Sequence, residues 1–197
     1  MVVGARLPVD VSPFAVDGPL RVLEIEGRTA LLWEGYDLGL DTLALDMMHA
    51  DFDLVTSLLG QPGTVHVTGA AGPGGRGSAA DVILAYPHAI ARCTSSSLMP
   101  MPYGMRGGWR ATFTGGVLEY VMRAGFTGQG PATLTEHTAD GEQPIDLPAV
   151  GPPYAVVIDH VLACLADHTG NLIEPASALP ALELTLDVHQ RLTQPAG

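Results

Sequence analysis

Lysine is missing altogether: all nine basic residues of this 197-residue chain are arginine. That removes Schiff-base chemistry and any lysine general acid from what the chain can do with its own side chains. Positive charge is scarce too, since 21 acidic residues bring the formal net charge to −12 and the arginines form no basic run. Such a chain is repelled by phosphate backbones and anionic bilayers, so neither nucleic acid nor membrane is an expected partner. Cysteine is nearly absent. Cys93 and Cys164 lie too far apart for a metal-type pair and are too few for a disulfide framework; they read as buried, reduced thiols.

Other absences narrow the field further. No apolar run is long enough to span a bilayer, and residues 1–13 hold one arginine with no long apolar core, so no signal peptide is expected and the cytoplasm is the default location. The loop "AAGPGGRGSA" (70–79) resembles a phosphate-cradling loop in composition only, because no G-x-G-x-x-G opens onto a helix. Without a G-x-S-x-G elbow, Ser95, Ser96 and Ser97 read as strand residues rather than nucleophiles. The histidines outside 43–60 are scattered, with no His-x-His or His-Glu-x-x-His spacing.

What is present is a rich supply of apolar residues, 47% of the chain, in a length suited to one domain or one plus a small appendage. Prolines punctuate an irregular N-terminal extension, 1–19, ahead of a domain over 20–197. "LRVLEIEGR" (20–28) alternates like a strand, and Trp33 and Tyr36 follow in a strand or loop. Residues 51–59 predict a short amphipathic helix closed by Gly60 and Pro62. Strands are expected at 64–69, over 81–97 as one long strand or a pair bulged at Pro87, and on either side of a Gly-Gly turn in 109–122. A hairpin is expected around Asp140-Gly141. The period then changes to 3.6, predicting a helix entered at Pro152-Pro153 and another over 175–192 with Ser177 as N-cap and Pro180 in its first turn. Strands in the middle and helices at the ends give an α+β class: an open, mostly antiparallel sheet with helices packed on one face.

The stretch "LALDMMHADFDLVTSLLG" (43–60) holds the densest polar cluster. Asp46 and His49 are close enough on a helical turn for a carboxylate to orient an imidazole working near neutral pH. The alternative is an N-terminal helix cluster, with Asp51 capping and Asp46 and Asp53 favoured by the helix dipole. No metal site is expected, although Asp46, His49 and Asp53 are ligand types. "SSSLMPMPYGMRGGWR" (95–110) mixes adaptable apolar groups with arginine; Met101, Tyr103, Arg106 and Trp109 read as a loop over a pocket for an oxygenated apolar molecule, or as a dimer contact. In 89–99, Arg92, Thr94 and Ser96 share one face and Ala91, Cys93 and Ser95 the other. The Arg92 face reads as the open one.

The order of these segments resembles the C-terminal domain of the Gfo/Idh/MocA oxidoreductases, the glucose–fructose oxidoreductase and inositol dehydrogenase family, over about residues 20–193. "LALDMMHADFDLVTSLLG" is similar to that family's L-x-D-x-G-x-H-x-(I/L)-D-x-x-x-x-L-x-G segment, "AYPHAIARCTSSS" to its strand with an Asn-Gly-Ala turn, and "ATFTGGVLEYV" to its I-x-G-x-x-G-x-L-E stretch. The last two helices match its closing pair. The resemblance implies Asp46 at the family's acidic position and His49 one place away from its histidine, which falls at Ala50. The family's Rossmann domain and its Glu-Lys-Pro lysine have no counterpart, since only about 20 residues precede the matching region and a βαβ unit needs about 30.

These readings point to an enzyme without NAD or other cofactor, shaping an apolar intermediate by cyclisation, cycloaddition, isomerisation or dehydration, of the kind met in polyketide or other secondary-metabolite biosynthesis. Asp46 and His49 would be catalytic; Trp33, Tyr36, Arg92, Ser96, Met101, Tyr103, Arg106 and Trp109 would bind substrate. A homo-oligomer through the open sheet face is expected. Two other readings stay open: a subunit of a split NAD(P)-dependent oxidoreductase, with an apolar patch on the open face, and a non-catalytic scaffold.

Overall fold

A computed structural model describes residues 18–30, 38–124, 130–146, 153–167 and 175–194. Eight strands, β1 (Leu20–Ala30), β2 (Thr64–Ala71), β3 (Ser78–Ala85), β4 (Ile90–Met99), β5 (Met105–Phe113), β6 (Val117–Ala124), β7 (Ala132–Thr138) and β8 (Gly141–Ile145), form one sheet in the order β2-β3-β4-β1-β5-β6-β7-β8. Every pairing is antiparallel except β1 with β4. The hairpins follow from their turns: Thr114-Gly115-Gly116 joins β5 to β6, and Ala139-Asp140 joins β7 to β8, with Gly141 opening β8 opposite Thr138. Of the two forms expected over 81–97, one long strand or a pair at Pro87, the structure has a pair: β3 and β4 are antiparallel and fold back on each other around Pro87.

The short helix expected at 51–59 begins much earlier. Helix α1 (Leu40–Leu43) runs through a π-helical turn (Ala44–Met48) into α2 (His49–Leu59), which ends where Gly60, at φ 74°, returns its N–H to the Thr56 carbonyl. Leu43, Ala44, Met48, Phe52 and Val55 form the continuous inner face of this segment, all fully buried. Helices α3 (Pro153–Asp167) and α4 (Pro175–Thr193) follow the sheet. Pro180 lies inside α4 rather than in its first turn, and its carbonyl accepts a hydrogen bond from the Gln61 side chain at 3.1 Å. Helix α4 packs on α1 and α2, with Ala181, Leu184, Val188 and Leu192 turned inward.

Alternation along each strand divides the sheet. On β1, Leu23 and Ile25 enter the core beside Val82, Leu84, Ala91, Cys93, Ala111 and Leu118, while Glu24, Glu26 and Arg28 point the other way. One face is therefore apolar and covered by helices over β2, β3 and β4, and the other carries charge.

Candidate functional site

The helix side is built first by serine. Ser78 and Ser97 hydroxyls donate to the Leu38 carbonyl at 2.6 and 3.1 Å, pinning the chain as it enters α1. The π turn follows. An i→i+5 turn carries one residue more than an α turn and rotates what comes after it, which is why such turns gather at functional positions. Here the turn holds Asp46 and hands over to His49. Asp46 faces outward with Leu45 and Ala50, whereas His49 is half-buried. Its Nδ1 is buried without a hydrogen-bond partner, so Asp46 does not orient the ring through that nitrogen.

Two glycines make room beneath the turn. Gly27 and Gly107 are opposite each other on β1 and β5, on the helix side, and Met47 leans over Gly27, its sulfur 3.9 Å from the Ser95 hydroxyl. Trp109 lies on the same side, opposite Ile25, and stacks on Tyr120 with ring centres 5.8 Å apart. Asp51 is the residue whose role the sequence concealed. It is not a cap but lies within the helix, one turn beyond Met47 and one before Val55, on the side that meets the sheet. Desolvation pushes its carboxyl from 3.8 up to about 7, although the residue is half-buried and its oxygens keep some contact with solvent, and no described residue hydrogen-bonds it. Below it burial pushes the Cys93 thiol well up, with the charges of Asp51 and Asp81 adding to the effect. At neutral pH this helix–sheet seam holds a carboxyl able both to give and to take a proton.

The open side is different. Arg92 grips Asp81 with two hydrogen bonds, Nε to Oδ1 at 3.0 Å and Nη2 to Oδ2 at 2.6 Å, which answers the cost of a lone guanidinium among small neighbours. Next to it Arg110 bridges Glu24 at 3.3 Å and Glu119 at 2.7 Å. Between these ion pairs an open hollow of about 300 Å³ lies over Gly107 and Gly108, rimmed by Glu26, Arg28, Thr94 and Val121. Charged groups dominate its lining, to which Trp109 and Tyr120 also belong, and no methionine takes part.

The expected binding set is thus divided between the two faces. Arg92, Ser96 and Arg106 belong to the open side, and Trp109, expected in the same group, belongs to the helix side because it alternates with Gly108 and Arg110 along β5. Ser96 is buried and accepts the Leu98 N–H. Met101 and Tyr103 lie in a 3₁₀ turn at the sheet's end, where Arg106 stacks over the Tyr103 ring at 4.3 Å. Trp33 and Tyr36 fall outside the described residues, as does the extension over 1–17. Among the described residues no group of three or more His, Cys, Asp or Glu is placed to hold a metal ion, and no helix is long and apolar enough to cross a membrane. The open face carries charge, not the apolar patch expected of a split subunit; exposed apolar residues concentrate on α3 and α4 instead.

An eight-stranded sheet with one parallel pair, helices on one face and a closing helix packed across them is the fold of the C-terminal domain of Gfo/Idh/MocA oxidoreductases. Among solved structures, the chain is similar to the UDP-N-acetylglucosamine 3-dehydrogenase GnnA of Acidithiobacillus ferrooxidans, with a TM-score of 0.72 and 20% identity over 90% of this chain and 55% of that one. It is also similar to the dehydrogenase MviM of Clostridium difficile (TM-score 0.66, 8% identity, 90% and 56% covered). A third similar structure is the biliverdin reductase of Synechocystis bound to biliverdin and NADP+ (0.65, 14%, 89% and 55%). The chain spans about half the length of these structures, and at such identities the likeness is one of fold. No protein-family model and no curated protein matches the sequence.

Proposed function

We propose that the chain is a cofactor-independent enzyme acting on a largely apolar, oxygenated small molecule at the helix–sheet seam, by proton transfer rather than hydride transfer. Isomerisation, cyclisation, cycloaddition and dehydration, of the kind used on polyketide-like intermediates, are the reactions in its reach. Such steps need orientation and one well-matched acid or base, not a redox partner. The observation that carries the reading is Asp51, a desolvated carboxyl brought to about 7, one helical turn from Met47 and near Cys93. Asp51 exchanges the proton; His49, whose Nδ1 is left unpartnered in the same helical segment, is the second polar group, and Asp46 marks the outer rim.

The test uses the purified chain against oxygenated polycyclic compounds and against NAD+ and NADP+. An apolar compound should raise the melting temperature and be turned over with a pH profile inflecting near 7, while the dinucleotides bind nothing. Asp51→Asn should cut turnover by about a hundredfold or more with the fold intact. His49→Ala and Asp46→Ala should cost about tenfold each. Tight nicotinamide binding, or an unchanged rate in Asp51→Asn, removes the reading.

A second reading, a substrate-domain subunit of a split oxidoreductase, is favoured by one observation. Ile158, Val161, Leu162 and Leu165 on α3, and Leu179, Leu182 and Leu186 on α4, form exposed apolar stripes at helical spacing. A dinucleotide-binding chain docking there would cover them. Mixing with such a chain should yield a stable complex that reduces substrate with NAD(P)H, and polar substitutions at Leu162 and Leu182 should abolish it.

A further inference from the structure

The open face places three of the chain's nine cationic residues in one line. Arg28 on β1 is directly opposite Arg106 on β5, and Arg106 directly opposite Arg123 on β6. Residues paired across antiparallel strands project from the same face with side chains in reach of each other, and like charges so placed repel. A chain with a net charge of −12 and so few cations has little reason to gather them at its own cost.

Among the described residues, the surroundings neutralise one of the three at most. Arg28 is held by the Thr94 hydroxyl at 3.2 Å and by Glu26 at 3.5 Å. Arg106 leans on the Tyr103 ring, and among the described residues neither Arg106 nor Arg123 has a carboxylate partner. In the adjoining cross-strand row the carboxylates are Glu26 and Asp81, and Asp81 is committed to Arg92. Among the described residues the row therefore keeps a local excess of positive charge. Arg28 also lines the hollow over Gly108, whose carboxylates Glu24 and Glu119 are engaged by Arg110 and Glu26 by Arg28 itself.

We propose that Arg28, Arg106 and Arg123 form a binding site for a small molecule carrying two anionic groups, a diphosphate or a dicarboxylate, whose body lies in the hollow over Gly108. Guanidinium forks take carboxylate and phosphate oxygens in pairs, and adjacent strands lie about 4.8 Å apart, so the three forks span about 10 Å, enough to hold both ends of such a ligand. The site is on the opposite face from Asp51, and it stands or falls independently of the proton-transfer reading.

Calorimetric titration of the full chain at fixed ionic strength tests it, with inorganic pyrophosphate and succinate as the dianionic probes and orthophosphate and acetate as single-group controls. One of the two dianions should bind at least tenfold more tightly than its control, and whichever does so identifies the ligand's chemistry. Arg106→Gln should weaken that binding at least tenfold and Arg123→Gln, at a more exposed position, at least threefold. Arg191→Gln, in a remote ion pair with Asp187, should leave it unchanged. Equal binding of dianions and controls, or undiminished binding in both row variants, overturns the proposal. So does a concentration-dependent dimer that Arg123→Gln dissolves, because the row would then be a contact between copies.

Discussion

Consecutive residues of β1 serve two different surfaces. Leu23 and Ile25 are sealed under the helices, and Glu24, Glu26 and Arg28 stand on a face where every carboxylate and most guanidiniums stay partly wet. On the helix side one half-buried carboxyl, Asp51, is raised to about 7 by desolvation. On the wet side the neighbouring carboxylate Glu119 instead pushes Arg110 further up, strengthening the charge it already has. The same kinds of side chain are therefore tuned toward proton transfer on one face and toward fixed charge on the other, and solvent access decides which.

The widest gap between the faces should appear in truncation. Phe52, fully buried, should cost about 3–5 kcal/mol as Phe52→Ala, while Ile83 on the open face, 38% exposed, should cost no more than about 1 kcal/mol as Ile83→Ala. Urea denaturation of both variants checks this. Equal costs would mean that the open face is covered in solution.

Asp51 sharpens the contrast with the opposite sign. Its pKa is raised on folding, so between about pH 4 and 7 the unfolded chain releases a proton that the folded chain keeps. The contribution is complete below about 4, is lost as pH rises to about 7, and is constant beyond. A rise from 3.8 to about 7 corresponds to on the order of 4 kcal/mol. Asp51→Asn should flatten stability across that window and leave the variant more stable than the parent at pH 8. A parent whose stability is already flat from pH 4 to 7 would show that water reaches the seam.

Local chemistry made much of this legible beforehand. Asp140-Gly141 and Gly115-Gly116 announce their hairpins, and alternation in 89–99 correctly separates Arg92, Thr94 and Ser96 from Ala91, Cys93 and Ser95. The same alternation applied to β5 separates Trp109 from Arg106 and Arg110, a signal present in the sequence but outweighed by the loop-like look of 95–110. Asp51 reads as a cap because a short helix was expected at 51; once Leu43, Ala44 and Met48 are counted as its inner face, the residue one turn after Met47 must turn toward the sheet. The parallel β1–β4 pair and the arginine row had no local signal at all. Both depend on register between strands distant in sequence, which a turn or a period cannot report.

The two cysteines extend the comparison to reactivity. Cys93 is buried with its thiol pushed well up, and Cys164 is half-buried on α3 with its sulfur 3.5 Å from His160 Nε2. A disulfide reagent at pH 8 should label Cys164 in the folded chain and Cys93 only at the rate of unfolding. Fast labelling of Cys93 would mean that the sheet beneath Asp51 opens.

The smallest effect belongs to the open face itself. Arg110 is 51% exposed and Glu119 34%, so water screens most of what their 2.7 Å contact would otherwise supply. A double-mutant cycle with Arg110→Ala and Glu119→Ala should return a coupling of about 0.2–1 kcal/mol, shrinking as salt is added. Glu24 complicates the cycle: it also reaches Arg110, so removing Glu119 leaves the guanidinium one partner, and the single variant Glu119→Ala should cost less than Arg110→Ala, which strands two carboxylates. A coupling several times larger, insensitive to salt, would place these charges in a buried setting. The open face would then be an interface in solution, and its ladder of charges would be there to meet another surface rather than water or a small anion.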